Sequence, residues 1–548
     1  MGGSWPNIGV ARGKAAFASL EDARFATTWR SLFEACPWAT PDQSYEYVRD
    51  WYLTYAERWE PLIFTASDNR NDLSGILALA SSGTTLVVCG ADDAQYHGWI
   101  SSSEIAERFI GQALSRLWEM FPRGRLTFRR LPPGIPLGWC TQRNRVVLET
   151  NSRPAAAGAT RVGVAESDSD RLPGQEPLEL IELTTTAELT EHINRLATFA
   201  DFKQGVFAGA RPFHEDPLKR AFYLRLAKQP GVLYGTALRA GTEVVSAQLG
   251  TRGRDAVSLG IIAPSPSRPN AIENEHLRRL AVSLRTAEIR CLGFPSRELH
   301  GDGQLGEAAE DTNTAEAFAS SLQFLAVTFR RTIAARIPMQ VAGVRERVRK
   351  VIRRLQIRSL IGSIRFRVYS QQELRTYRLP VDEQDHETEG ERLAVNCLEH
   401  LLLYEPAEPE DRPVSVFLSD CKRRLVSGDW VFTEIDNGRL IHHAWMGKRI
   451  GRVPTDLPGF FEFPPNSVTL WDDYTHPSAR GRGLHKRSLR QRLKAAAPLA
   501  HARTAYIFVF ADNVASRKNI ESTGFIYFRS LFRRIVLGFR RSYWAPES

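Results

Sequence analysis

At 548 residues the chain is too long for one hydrophobic core, and length alone suggests about three to four domains. Its 43% hydrophobic and 24% charged residues are those of an ordinary globular protein and exclude a disordered or fibrous one. The net charge of +10 is local, because between Arg330 and Arg367 stand twelve Lys or Arg and one acid, Glu346. That segment carries +11 by itself, so the remainder is near neutral, which argues against a protein that coats nucleic acid.

The six cysteines, Cys36, Cys89, Cys140, Cys291, Cys397 and Cys421, form no C-x-x-C pair and no cluster. They read as reduced, buried thiols, and neither a disulfide frame nor a metal site is expected. The N-terminus M-G-G-S-W-P lacks the apolar core of a signal peptide, and Pro6 stands where a myristoylation signal has Ser or Thr. No apolar run approaches the roughly 20 residues of a membrane span. The expected location is the cytoplasm.

Residues 1–58 read as a helical lead-in with Trp38, Tyr45, Tyr47, Trp51 and Tyr52 as large apolar surface. Leu62–Ala66, Gly75–Ala80 and Thr85–Cys89 are then strand-like, Ile105, Phe109, Leu114 and Leu117 mark a helix, and Leu126–Phe128 closes with a strand. The order returns with Val232–Leu238, Val244–Leu249, Ala256–Ile261, a helix over 273–287 and a strand from Arg290. It returns again with Trp430–Ile435, Leu440–Trp445, Val468–Trp471, a helix after Gly483 and Thr504–Phe510. Asn437-Gly438 between the first two of these strands is the type I′ hairpin pair, since both positions take positive φ. Three passes of meander, helix and strand predict three related α/β units; the alternative is chance recurrence of hairpins and helices.

Trp38 and Trp51, the run Gly90-Ala-Asp-Asp-Ala-Gln-Tyr96 after a strand, and Phe213-His214 ahead of a helix carry a resemblance. Over residues 30–335 the chain resembles the CelD/BcsL-type acyltransferases, a FemAB-like pair associated with bacterial cellulose or exopolysaccharide production. The Tyr-Lys pair typical of that family is absent at Leu292–Gly301.

Val344, Val348, Val351 and Leu355 make a heptad-like stripe amid arginines, and residues 382–391 hold six carboxylates. The basic stretch 341–361 has two readings: a helix on an anionic membrane surface, peripheral to the inner membrane, or a plain connecting helix. The second is favoured because interfacial Trp and Phe are missing.

The last region turns on Leu470–Leu489, L-W-D-D-Y-T-H-P-S-A-R-G-R-G-L-H-K-R-S-L. A strand runs to Pro477, a turn holds Arg480, Gly481, Arg482 and Gly483, and Leu484, Leu489 and Leu493 share a helix face. Backbone N–H groups at such a turn, with a helix N-terminus behind them, suit a phosphate or pyrophosphate. R-G-R-G also occurs in RNA-binding tails and plain turns. With the following strand, Asn513-Val-Ala-Ser516 and Gly524-Phe525, this order resembles the GNAT N-acetyltransferase superfamily. That resemblance implies acetyl-CoA or another acyl-CoA as co-substrate and no metal. The implied cofactor-binding residues are Thr475, His476, Arg480, Gly481, Arg482, Gly483, Leu484, His485, Asn513 and Ser516. His485 replaces the usual Gly or Ala, and Ile520 stands where relatives often have a tyrosine acid.

The expected architecture is therefore α/β, three GNAT-like units of mixed, mostly antiparallel sheet flanked by helices, the first two a FemAB-like pair. The expected boundaries are 1–170, a degenerate unit; 171–335, a second unit; 336–390, basic helix and acidic linker; and 391–548, the acyltransferase domain. Acyl transfer to an amine needs a base and a polarised carbonyl. Asp472, Asp473 and His476 are the candidate bases, with Asp472, Tyr474 and His476 on one strand face and Asp473 on the other. An ion pair without catalytic role is an equal reading for either aspartate. Glu434, His442 and His443 are fallbacks, and hairpin histidines are more often exposed. Three function classes follow: acyltransfer to an amine of a sugar, peptide or metabolite; a non-catalytic scaffold in polysaccharide production; and a peripheral polyanion-binding protein.

Overall fold

The computed structural model describes residues 7–67, 72–151, 177–292, 298–299, 305–306, 312–321, 323–325, 327–328, 369–381, 393–448, 463–536 and 539–544. The basic stretch 341–361 and the acidic run 382–391 lie outside the described residues. The chain is α/β, with mixed and mostly antiparallel sheets flanked by helices. It divides into residues 1–203 with 212–337, the first unit, and 204–211 with 338–548, the second.

Within the first unit, one sheet runs in sequence order through Asn7–Arg12, Glu60–Ser67, Leu73–Ser82 and Thr85–Val88, with Ile100–Ser101 on the third strand. The lead-in thus opens with a strand, paired to Glu60–Ser67, before its helices begin. The other sheet has the order Arg290–Leu292, Ala256–Pro264, Glu243–Arg252, Leu233–Ala240, Leu178–Leu183, and its first pair is parallel. The expected boundary at 170/171 does not separate these halves. Thr312–Phe318, from the second, pairs with Arg125–Phe128 and Val146–Asn151 of the first. Trp99, Phe128 and Trp139 meet edge to face beside that exchange, centroids 5.2–6.4 Å apart.

The second unit is built on eight strands in the order Ala394–Val395, Trp430–Asp436, Arg439–Gly447, Ser467–Thr475, Thr504–Phe510, Tyr369–Pro380, Ile526–Val536, Phe539–Trp544. Asn437 (φ 49°) and Gly438 (φ 72°) make the tight hairpin that their types require. The helix Leu484–Ala500 lays Leu489, Leu493 and Ala496 on Val468, Leu470 and Ile507 of the sheet. Each such leucine contributes about 1.5–3 kcal/mol by burial. Tyr369–Pro380 corrects the expected linker 336–390: it is an inner strand of this sheet, between Thr504–Phe510 and Ile526–Val536. Its Leu374 packs with Phe463 and Leu531, and its Tyr377 with the core under the helix, so both faces are covered.

Candidate functional site

Ser467–Thr475 and Thr504–Phe510 are the one parallel pair among the described strands of the sheet, and their register holds only from Ser467↔Thr504 to Leu470↔Ile507. Beyond Leu470 both strands continue without pairing to each other, so the sheet parts there. At the same point the other edge of Ser467–Thr475 is bulged. His443 pairs with Tyr474 and Trp445 with Trp471, so Ala444 faces both Asp472 and Asp473. Asp472 takes the extra turn, with φ 50°.

The bulge sends the two candidate bases to opposite sides, each to an arginine. Asp472 accepts from Arg412 through both oxygens at 3.0 Å and from Arg424. Burial would raise its pKa, but His443 and the two guanidiniums hold it well below the usual carboxylate range. So held, its carboxylate is engaged by two guanidiniums. Asp473 accepts from Arg492, a fully buried side chain that also donates to Trp445 O at 3.0 Å. Asp473 is the neutralising partner that lets a guanidinium stay inside. Sequence reasoning missed Arg492; its signal was an arginine three residues after Leu489, on the apolar face of the helix.

The hairpin histidines are not exposed; both have 0% exposure. His442 Nδ1 meets Thr475 Oγ1 at 2.9 Å, and its Nε2 is without a partner. His443 lies against Tyr474 (5.3 Å, stacked) and Phe417 (5.2 Å), with neither ring nitrogen partnered. Burial lowers both, His443 to about 4 and His442 well below its ordinary value. A histidine with a depressed folded pKa stabilises above its unfolded value, about 6.5, and loses that contribution as pH falls toward 4. His443→Phe keeps the stacking and removes the titration. The expected result is that the variant loses about 2–3 kcal/mol less than wild type in urea unfolding between pH 7 and pH 4. Equal losses would contradict the assignment.

His476 starts a short 3-10 turn, Pro477–Ala479; its Nδ1 accepts from Ser478 N–H at 3.2 Å and meets Ser478 Oγ at 2.8 Å. Nδ1 is thus engaged by the turn's own N–H. Gly481 (φ 81°) and Gly483 (φ 74°) are both left-handed, and a Cβ on either meets no atom within 4 Å. Gly483 caps the helix Leu484–Ala500 without a side-chain acceptor. Arg480 is 3.5 Å from Glu408 and 3.4 Å from Thr475 O; Arg482 binds Asp436 at 2.9 Å. Leu484 is buried with Ile441 and Ala479. His485 receives Asn519 Nδ2 at 3.3 Å on Nδ1, and its Nε2 is 3.6 Å from Asp473. Burial lowers the His485 pKa despite that aspartate, so the ring is neutral.

The first turn of this helix holds His485, Lys486 and Arg487 and no acid. Cations there oppose the helix dipole by about 0.3–1 kcal/mol each when charged. The corresponding helices of the first unit differ. Ala106–Met120 has Glu107 in its first turn, and Ala271–Thr286 has Glu273, bound to Lys203 at 2.8 Å. The helix start after Gly483 therefore has neither a side-chain cap nor an acid, the arrangement that suits an anion, while Arg480 N–H in the turn is bound to Pro477 O at 3.3 Å. Asn513 and Ser516 stand at the start of the next helix, Val514–Ser522, where Asn513 Oδ1 accepts Ser516 N–H at 3.1 Å. Asn513 is thus a cap. Ile520 is fully buried in the core. An open groove of about 620 Å³ in the first unit, lined by Asp50 and Arg225 among others, contains none of these residues.

No family model matches the chain, and no curated protein matches it. Among solved structures it is similar to a putative GNAT-family acetyltransferase from Novosphingobium aromaticivorans: 21% identity, 30% of this chain and 63% of that one, TM-score 0.21. It thus spans less than two thirds of that structure's length. It is also similar to a tandem GNAT protein of the clavulanic acid pathway: 14% identity, 68% and 98% covered, TM-score 0.23. A third is the C-terminal domain of a putative lysylphosphatidylglycerol synthetase from Agrobacterium fabrum: 10% identity, 55% and 94% covered, TM-score 0.35. Among the described residues no helix is long and apolar enough to cross a membrane, and no group of His, Cys, Asp and Glu could hold a metal.

Proposed function

We propose that the second unit binds an acyl-CoA with its pyrophosphate on the Arg480–Gly483 turn and transfers the acyl group to an amine. One observation carries this reading: an uncapped helix N-terminus with Lys486 and Arg487 and no acid in its first turn stands where two parallel strands part. Phosphates relieve the charge conflict in that first turn, and the gap beyond Leu470 and Ile507 is the space for the extended thiol arm. The acceptor is an amino group of a sugar, peptide or metabolite. A role in exopolysaccharide production rests on the resemblance of residues 30–335 alone.

A second reading, binding without transfer, is favoured by the loss of free bases: Asp472 and Asp473 are both bound to arginines, and Glu434 is 2.7 Å from Arg487. A thermal-shift screen of the intact chain against acyl-CoA thioesters tests binding, and free-thiol release in the presence of candidate amines tests transfer. The expected result is stabilisation that grows with ligand concentration, about 2.7 kcal/mol at a hundredfold excess over Kd. No shift with any thioester would remove both readings; a shift without thiol release would select the second.

A further inference from the structure

We propose that the groove between the helices Tyr45–Thr54 and Pro217–Leu226 of the first unit binds a single-chain anionic amphiphile, an alkyl chain ended by a carboxylate or phosphate. The groove measures about 620 Å³, within the roughly 300–1,000 Å³ of small-molecule sites. Its two helices run antiparallel. Asp50 of the first accepts from Gln229, just past the end of the second, at 3.0 Å. Arg58, just past the end of the first, binds Asp216, the N-cap of the second, at 2.7 and 2.9 Å. Between these two ties Phe222 meets Tyr47 and Tyr55, with ring centroids 5.1 and 6.3 Å apart. The helices are thus packed on each other through rings that do not line the groove, which lies outside that contact.

The antiparallel direction sorts the lining by polarity. Leu53, Leu218 and Ala221 line the groove toward its Arg58 end, and Arg49, Arg225 and Lys228 toward its Asp50 end. Leu218, Ala221 and Arg225 are spaced for one helix face, and the helical rise puts about 10 Å between the first and the last. An alkyl chain laid along the leucines covers apolar surface while its head reaches the cations.

The acids near the cationic end are already taken. Asp50 is buried and is held by Arg49 at 3.1 Å besides Gln229, and Glu46 is bound to Arg30 at 2.6 Å. Arg225 and Lys228 are exposed, and among the described residues neither has a hydrogen-bond or ion-pair partner. Arg225 acts on Asp50 through space alone. Two uncommitted cations beside an apolar stretch complement an anionic head; they repel a cationic amphiphile and leave an uncharged one without a polar contact. No aromatic ring lines the groove, so a nucleotide base finds no stacking platform. Nor does any residue of the Arg480–Gly483 turn line it, so its ligand is independent of acyl-CoA binding there.

The test is calorimetry of the intact chain with decanoate and with decyl phosphate below their micelle concentrations, and with decyltrimethylammonium and decanol as controls. The expected result is binding of both anions that weakens with salt, and binding of the controls weaker by about tenfold or more. Arg225→Gln with Lys228→Gln should weaken decanoate binding by about tenfold or more, whereas Arg225→Lys with Lys228→Arg should retain it. Ala221→Trp, at an exposed position, fills the groove without touching the core and should weaken binding by a similar factor. Absence of decanoate binding by wild type would overturn the proposal. So would equal binding of decanol, unchanged binding by these folded variants, or loss of binding in Gly483→Val in their place. Dimerisation of wild type that Ala221→Trp abolishes, with no decanoate bound, would overturn it in favour of a second copy of the chain.

Discussion

Asp473→Asn is expected to destabilise the second unit by about 3–5 kcal/mol, the cost of leaving a buried charge without its partner. Arg492 has no exposed surface, and Asp473 is the carboxylate bound to it. Burial alone lowers the pKa of this guanidinium, and the aspartate acts in the opposite direction. The neutral amide of Asn cannot replace that charge. Arg492→Met combined with Asp473→Leu removes both ions and should recover most of the loss, since well-packed apolar residues often match a buried pair. Urea unfolding of the three proteins, followed by hydrogen exchange in the 467–500 region, reads the result. Wild-type stability in Asp473→Asn would contradict the structural role and restore the residue as a candidate base. Lower turnover in this variant, taken without a stability measurement, would not identify a base.

Gly483→Val is the second large effect, expected to weaken acyl-CoA binding by about 1–3 kcal/mol, roughly ten- to a hundredfold. The cause is not crowding by the protein, because a Cβ there has open space around it. A β-branched residue is strained at φ 74°, and relaxing it turns the first amides of the helix away from a shared focus. The added methyl groups also enter the space that a phosphate would take. Arg482→Ala should cost less, since this exposed side chain already binds Asp436. Calorimetry with acetyl-CoA on folded variants checks the order. Equal affinities for Gly483→Val and wild type would place the anion elsewhere.

Much of the fold was legible because its strands follow apolar alternation and its turns carry their required residues. Asn437-Gly438 and the stripe of Leu484, Leu489 and Leu493 gave correct local structure from residue type alone. Tyr369–Pro380 was not legible: it is a mostly polar strand of which Leu374, Thr376 and Tyr377 are buried, so neither face shows a continuous apolar series. Thr312–Phe318 was hidden for another reason, since its partners lie in an earlier part of the chain. At the site, the glycine turn and its basic helix were readable. The roles of the aspartates were not: alternation puts them on opposite faces, but it does not show which side chains of other elements bind them there. Arg412, Arg424 and Arg492, the residues that claim those carboxylates, stand 60, 48 and 19 positions away in sequence and meet them only on folding.

The most direct measurement of the central claim is amide hydrogen exchange of the intact chain with and without acetyl-CoA. Leu484, His485 and Lys486 have helix-start amides with no side-chain cap at Gly483, and a bound pyrophosphate would occupy them. The account predicts ligand-dependent protection in peptides covering residues 480–487, with no change in those covering the helix starts at Ala106 and Ala271. Binding with protection confined to the first unit, or no protection at 480–487 under saturating ligand, would contradict it.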